Sequence, residues 1–343
     1  MTPELAEALE VLARVERDSS ALAGAGRPRR LSTRGRFAVA EGVERARRPI
    51  RLPSGQWTDA ASGPEIRADV VAVARVRRDH SRLRAFYVEQ ALTVVAHGGI
   101  ASHRRRGLMR GSRIAERLAG ISPGLRVPEQ VERGRRLHHS WVVEATLPGR
   151  RVSVGEWEHI VPDLVHGFAD LWLGSRLWAR PIRHVVGGMT ARRFGAIVRD
   201  VGLEHRVPGD LPRVLERLAR SDHDLLVGPT HGDPVRQNVL RLDGGALGLV
   251  DWEKADERPL GQDLFRILLG ATNPRRIIGD VATRLAPLQS PRAAPWHLQV
   301  AIGGLARMSS WGRHLAFWEQ RGSAEVRRDR LARRLALMAE LLW

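Results

Sequence analysis

Residues 231–253 read HGDPVRQNVLRLDGGALGLVDWE, and the rest of the chain is organised around them. Val239 to Leu242 and Ala246 to Val250 are short apolar-rich runs separated by Asp243, Gly244 and Gly245. Apolar runs broken by paired glycines predict a β-hairpin, because glycine supplies the positive φ of a tight turn at no steric cost. With Gly244 and Gly245 as a two-residue turn, Asp243 faces Ala246 and Asn238 faces Asp251. Directly opposed residues point to one side of the ribbon, so an amide oxygen and a carboxylate would meet at its open end. Hard oxygen donors of that kind suit Mg²⁺. A second carboxylate, Asp233, lies five positions before Asn238 in an irregular lead-in. A loop carboxylate to orient a hydroxyl, beside a metal that neutralises phosphate charge, is what phosphoryl transfer requires.

The ordered set His231-Gly232-Asp233, Asn238 and Asp251-Trp252-Glu253, followed by Gly261-Gln262-Asp263-Leu264, resembles the aminoglycoside phosphotransferase-like branch of the protein-kinase fold. The resemblance covers roughly Leu226 to Leu268. It implies an α+β, two-lobed protein-kinase-like fold, with a small β-rich N-terminal lobe and a mainly helical C-terminal lobe. It also implies ATP or GTP as co-substrate, Mg²⁺ as cofactor and a small hydroxylated acceptor. Acceptors in such a family extend from aminoglycosides to sugars, choline-like alcohols and other antibiotics.

In this reading Asp233 is the catalytic base or hydroxyl-orienting group, and Asn238 and Asp251 are the metal ligands. Glu253 supports the metal by resemblance, and Trp252 is packing. Arg236 is placed to meet phosphate or an anionic acceptor, with a solvated arginine as the competing role. His231 braces the loop, and Asp263 caps a helix beneath it. By resemblance, Trp141 to Ala145 is the last small-lobe strand and hinge, with Glu144 and Ala145 at the adenine edge. Leu240 and Val250 would pack against the base, although ordinary core packing explains them equally well.

The resemblance has one departure. Kinase-like enzymes hold the α- and β-phosphates with a small-lobe strand lysine paired to a helix glutamate. Lys254 is the only lysine in this chain, and it follows the metal hairpin. Glu116 fits the helix glutamate, and Arg104, Arg105, Arg106 or Arg110 would have to supply the cation. A forked guanidinium does not reproduce a point-charge ammonium without rearrangement. Two further readings follow from this composition: a kinase-like binding or scaffold protein with weak or no catalysis, and an arginine-rich nucleic-acid binder.

The formal net charge of +18 raises the second of these. Arginine clusters recur at residues 27–30, 45–48, 104–106 and 133–136, but they are dispersed and lack interleaved aromatics. No helix-turn-helix, zinc-finger or RNA-module pattern accompanies them, which sets nucleic acid aside as the main partner. Glu253 before Lys254 and Ala255 after it exclude a Walker loop. Gly120-Ile121-Ser122-Pro123-Gly124 matches a hydrolase nucleophile pattern, but a helix precedes it where a strand is needed. Zero cysteines exclude disulfides and thiolate chemistry and fit a cytoplasmic address. No apolar run reaches membrane-span length.

With 343 residues the chain can divide into two lobes or domains. An N-terminal helix with Leu5, Leu9, Leu12 and Val15 on one face opens a hard-to-read extension, 1–65. Residues 66–147 form the expected small nucleotide-binding lobe. It would contain strands at Asp69 to Val76 and Arg84 to Val95, a helix at Ser112 to Leu118, and strands at Leu125 to Val131 and Trp141 to Ala145. Residues 148–343 form the expected large helical lobe, carrying the catalytic loop and metal hairpin. Its first helix shows Trp157, Ile160, Val161, Leu164, Phe168 and Leu171 at helical spacing, with Pro162 in a first turn or at a kink. Further helices are expected from Asp210 as N-cap, and at Asp263 to Leu269, Pro295 to Met308 and Ala324 to Leu342. Oligomeric state is not legible.

Overall fold

A computed structural model describes residues 32–33, 70–77, 80–87, 91–99, 102–136, 139–186, 191–200, 209–308 and 324–342. The expected N-terminal helix lies outside the described residues. The chain forms two compact units, one of Met1–Val152 with Arg236–Ala255, the other of Ser153–Val235 with Asp256–Trp343. The first is rich in strands and the second mainly helical, which gives the α+β class expected. Among the described residues, no helix is long and apolar enough to cross a membrane.

In the first unit, β1 (Ser32–Thr33) pairs with β2 (Val70–Arg77), which continues antiparallel into β3 (His80–Tyr87) and β4 (Leu92–Gly99). Helix α1 (Ser102–Leu118) follows, then β5 (Leu125–Arg126), β6 (Gln130–Arg136), β7 (His139–Ala145) and β8 (Gly149–Arg151). The larger sheet has the order β1-β2-β3-β4-β7-β6 among the described residues. Strands, one helix and two further strands is the order that the resemblance implied.

The expected single strand from Arg84 to Val95 is instead two strands folded back on each other. Ala91, at φ 50°, sits in the turn before β4, and Arg84 is paired with Val95. Val95 in turn pairs with Val142, so alternation puts Arg84, Val95, His97, Val142 and Glu144 on one face. Val95 and Val142 form a buried cluster with Leu108 of α1, so this is the face that the helix covers. Helix α1 ends at Leu118, and Gly120, at φ 79°, turns the chain, so the Gly120 to Gly124 stretch is a helix-ending loop.

The hairpin consists of β11 (Val239–Leu242) and β12 (Leu247–Leu249), flanked by β8 and β5 in the order β5-β12-β11-β8. Val239 pairs with Leu249, Leu240 with Gly248 and Arg241 with Leu247. Leu242 N–H donates to Ala246 O at 2.9 Å, so the loop is Asp243, Gly244 and Gly245. The expected two-residue turn is therefore wrong, and the register moves by one. Asn238 stands opposite Val250, whose N–H donates to the Asn238 carbonyl at 2.9 Å. Both glycines take up positive φ, 87° and 90°, which lets three residues close a loop that two were expected to close.

In the second unit, α2 (Val154–Leu173) starts with a capping box. Glu156 N–H donates to Ser153 Oγ, and Ser153 N–H donates to Glu156 Oε2. Its stripe of Ile160, Val161, Leu164, Phe168 and Leu171 is buried as the spacing predicts. Pro162 sits inside the helix, where it withholds one backbone hydrogen bond without ending it. Then come β9 (Trp178–Pro181), α3 (Ile182–Val186), α4 (Ala191–Asp200), α5 (Leu211–Ala219) and β10 (Asp224–Thr230). After the hairpin, β13 (Asp256–Pro259) pairs with β10, and α6 (Gly261–Leu268), α7 (Pro274–Arg284), α8 (Trp296–Met308) and α9 (Ala324–Leu342) complete the unit. Asp210 stands at the N-cap of α5 without a side-chain cap bond. Leu331, Leu335 and Met338 of α9 are buried, and that helix packs on α8.

Candidate active site

In the second unit the His231–Asp233 segment follows a strand pair. Thr230, at the end of β10, pairs with Asp256 at the start of β13, and its hydroxyl donates to the Asp256 carbonyl at 2.8 Å. Strand β13 leads directly into α6, which returns Asp263 beneath the residues that follow β10. The carboxylate of Asp263 is fully buried and accepts the N–H groups of His231 (2.6 Å) and Gly232 (3.0 Å). Asp263 thus serves the loop rather than its own helix, whose N-cap, Leu260, has no side-chain cap bond. His231 is also fully buried, and its Nδ1 accepts the N–H of Asp233 at 3.2 Å. The backbone that carries Asp233 is therefore fixed from two sides. The Asp233 carboxylate forms an ion pair with Arg266, one helical turn beyond Asp263 on α6. The sequence reading missed Arg266; its i,i+3 spacing from Asp263 was the available signal.

In the first unit the open end of the hairpin gathers charge. Asp251 has φ 74° and ψ 55°, a left-handed backbone that a non-glycine residue adopts at a cost of order 1 kcal/mol. Its carboxylate faces Arg84 of β3 at 3.6 Å. Beyond it, Trp252 is buried and donates from Nε1 to the Leu249 carbonyl at 2.8 Å, which is packing as expected. Glu253 meets the buried His97 of β4 at 3.2 Å. Arg110 of α1 donates from Nε to the Ala255 carbonyl at 3.1 Å. Helix α1 approaches so closely that a Cβ on Gly111 would lie 1.9 Å from the Trp252 carbonyl oxygen. Only glycine fits there, and that contact seats the hairpin end against the sheet face bearing Arg84 and His97.

Glu144 lies on the same face. Burial raises its pKa above the ordinary carboxylate value, against the pull of Arg84 and a hydrogen bond from Gln130, while Asp251 and Glu253 push it further up. Gln130 is itself held by Ser112, whose hydroxyl donates to its Oε1 at 2.8 Å. Arg151 of β8 has its pKa lowered, first by burial and then by Arg84 and Arg236, with Asp251 opposing. Arg236 donates to the Val152 carbonyl at 2.8 Å.

The first unit therefore brings Asp251, Glu253, Glu144, Arg84, Arg151, Arg236 and His97 into one electrostatic neighbourhood. Asn238 ends the short 3₁₀ turn that leads into β11, and Asp251 begins the one after β12. Leu240 is buried and Val250 half-buried. The Ala145 N–H is spent on the Glu129 carbonyl at 2.8 Å. Glu116 is exposed and pairs with Arg133 at 2.5 Å. Lys254 is exposed.

Among the described residues, no group of three or more His, Cys, Asp or Glu is placed to hold a metal. Mg²⁺ needs no such cage. It is commonly bound by one or two carboxylates together with substrate phosphates and waters, and an amide and a carboxylate flanking one hairpin supply hard oxygen donors of the right kind. Asp251 already faces a cation, the Arg84 guanidinium, so its carboxylate stands where positive charge is accepted.

In the second unit a buried acid braces the loop that carries the half-buried Asp233, and in the first unit oxygen donors flank the hairpin end. Residues 189–296 match the sequence model of the phosphotransferase enzyme family. The resemblance carried by His231 to Glu253 is borne out over that segment. No curated protein matches the chain. Among solved structures, the chain is similar to a thermostable variant of aminoglycoside phosphotransferase APH(4)-Ia (13% identity, 77% of this chain and 94% of that one, TM-score 0.44). It is also similar to macrolide 2'-phosphotransferase MphH from Brachybacterium faecium (16%, 78% and 91%, TM-score 0.45). Choline kinase LicA from Streptococcus pneumoniae gives 12% identity, 78% and 93% coverage, and a TM-score of 0.44. The functional reading rests on the family segment and on the site's own residues.

Proposed function

We propose that this chain is a small-molecule O-phosphotransferase that moves the γ-phosphate of ATP or GTP to a hydroxyl of a small acceptor with Mg²⁺. The observation that carries the reading is the fixed backbone under Asp233, in a segment matching a phosphotransferase family. Phosphoryl transfer asks the protein mainly for alignment and charge neutralisation, and a loop clamped by Asp263 and His231 supplies alignment. Asp233 accepts the acceptor's hydroxyl proton as the oxygen bonds to the γ-phosphorus, and the bond to the β-phosphate oxygen breaks to release the nucleoside diphosphate. Arg266 holds the Asp233 carboxylate in place before the acceptor arrives.

Asn238 and Asp251 are the residues we assign to Mg²⁺, with Glu253 in support. When bound, the metal neutralises charge on the nucleotide's phosphates. Glu144, Ala145, Leu240 and Val250 are assigned to the nucleotide, which places nucleotide binding in the first unit. Glu116, paired with Arg133 at the surface, is the weakest member of that set. Arg236 is assigned to phosphate.

The deciding experiment compares wild type with Asp233→Asn, following nucleoside diphosphate release in Mg²⁺ across a panel of hydroxylated acceptors. General-base loss lowers the rate roughly a thousandfold, while calorimetric ATP or GTP affinity stays within about twofold of wild type. Unchanged turnover would remove Asp233 from this role.

A further inference from the structure

The Arg84 guanidinium is a cation that faces the Asp251 carboxylate, at 3.6 Å. Arg84 is not beside Asp251 by sequence. The register of β3 on β4 puts it on the sheet face covered by α1, and Gly111 lets the hairpin end reach that face. Both side chains are mostly but not fully buried, 17% and 23% exposed, so each can be reached by a ligand. The pairing also leaves the guanidinium unsaturated. Its Nε–H is buried and has no hydrogen-bond partner among the described residues. A guanidinium has five donors in a planar fork suited to an oxyanion with several acceptor oxygens, and one carboxylate contact at 3.6 Å uses little of that capacity.

The surroundings favour an anion. Arg151 lies close enough to both Arg84 and Arg236 for their charges to act on it. Two guanidiniums, those of Arg84 and Arg151, therefore act on Asp251, and Arg236 acts on Arg151. Like charges held this close repel, and the strain is relieved when a polyanion arrives.

Resting on the proposed metal role of Asp251, we infer that Arg84 is an exchangeable counter-cation. It occupies the Asp251 carboxylate until a divalent cation takes its place, and the released guanidinium then binds phosphate oxygens of the incoming nucleotide. Metal and polyanion are thereby coupled. The metal weakens the hold of Asp251 on Arg84, and the phosphate gives Arg84 another partner. By linkage, each ligand raises the affinity for the other by the same factor. Of the α1 arginines, Arg110 is committed to the Ala255 carbonyl.

The test measures binding to the full chain, not turnover. Mn²⁺ alone is titrated into wild type and Arg84→Gln, with free metal followed by electron paramagnetic resonance. ATP alone is then titrated in the presence of EDTA. Removing the competitor should tighten Mn²⁺ binding roughly fivefold, and removing a phosphate ligand should weaken metal-free ATP binding roughly fivefold. The opposite signs separate this role from general loss of structure, which would weaken both.

Arg84→Lys provides the check should the glutamine variant fold poorly. It keeps the charge, so its Mn²⁺ affinity should stay within about twofold of wild type. Mn²⁺ affinity unchanged or weakened in a folded Arg84→Gln, or tightened equally in Arg84→Lys, overturns the inference. Asp251→Asn distinguishes the two levels of the argument. If it binds Mn²⁺ as tightly as wild type, the metal assignment itself fails. If it loses Mn²⁺ while Arg84→Gln gains nothing, only the exchange role fails.

Discussion

The two units treat their acidic side chains in opposite ways. In the second unit, Asp263 is sealed from solvent and satisfied by two backbone N–H groups that cannot move without moving the loop. In the first, Asp251 is partly exposed and faces the tip of a long arginine. A carboxylate held by backbone is scaffold, because its partners have no other place to go. One held by a flexible guanidinium is in exchange with whatever cation is offered. Asp233 lies between these cases, with its backbone anchored through His231 and its carboxylate paired with Arg266. The difference separates a carboxylate that fixes backbone, Asp263, from two whose charge is met by an arginine side chain, Asp233 and Asp251.

The contrast is most open to attack through stability. Asp263→Ala leaves two buried N–H groups without acceptors and opens a cavity, so it should cost about 3–5 kcal/mol in urea denaturation, and activity should fall with it. Asp251→Asn should cost no more than about 1 kcal/mol. Asparagine tolerates a left-handed backbone as well as aspartate does, and a partly exposed ion pair contributes little. Similar losses for the two variants would abolish the distinction between scaffold and exchangeable carboxylates. A cost for Asp251→Asn above that of Asp263→Ala would reverse it.

These roles were unequally legible in the sequence. The hairpin, the loop acid and the brace at Asp263 stood out because short-range spacing encodes them. The alternation of Val239 to Leu242, the paired glycines and the Gly-Gln-Asp-Leu run are all local. The hairpin's register was misread because Asp243-Gly244-Gly245 closes as three residues, and one extra loop residue moves Asn238 from Asp251 to Val250. Arg84 and His97 were invisible as site residues for a different reason. Their place depends on which residue of β3 faces which of β4, and the reading of Arg84 to Val95 as a single strand put them in line instead of side by side. Composition misdirected as well. With arginine doing most of the work of lysine throughout the chain, a functional arginine carried no compositional mark.

The smallest effect expected is a difference in the sign of two pH slopes. His297, at the start of α8, has its pKa lowered from 6.5 by partial burial of the ring and then by the charge of Arg275. The unfolded chain binds that proton more readily, so between the lowered value and 6.5 stability rises with pH. The contribution is fully present above 6.5 and is lost as pH falls through the lowered value. Glu144 tilts the other way. Its pKa is raised from 4.5, so the folded state holds the proton more tightly, and its contribution is present below 4.5 and lost as pH rises toward the raised value. His297→Gln should therefore flatten the acid-side loss of stability, by well under about 1 kcal/mol because the residue is exposed and screened. Glu144→Gln should instead remove a loss that develops as pH rises. Denaturation midpoints for both variants and wild type, taken from pH 4 to pH 8 in half-unit steps, decide the matter. Two variants that shift the profile in the same direction would show that His297 and Glu144 do not have oppositely shifted pKa values in the folded chain.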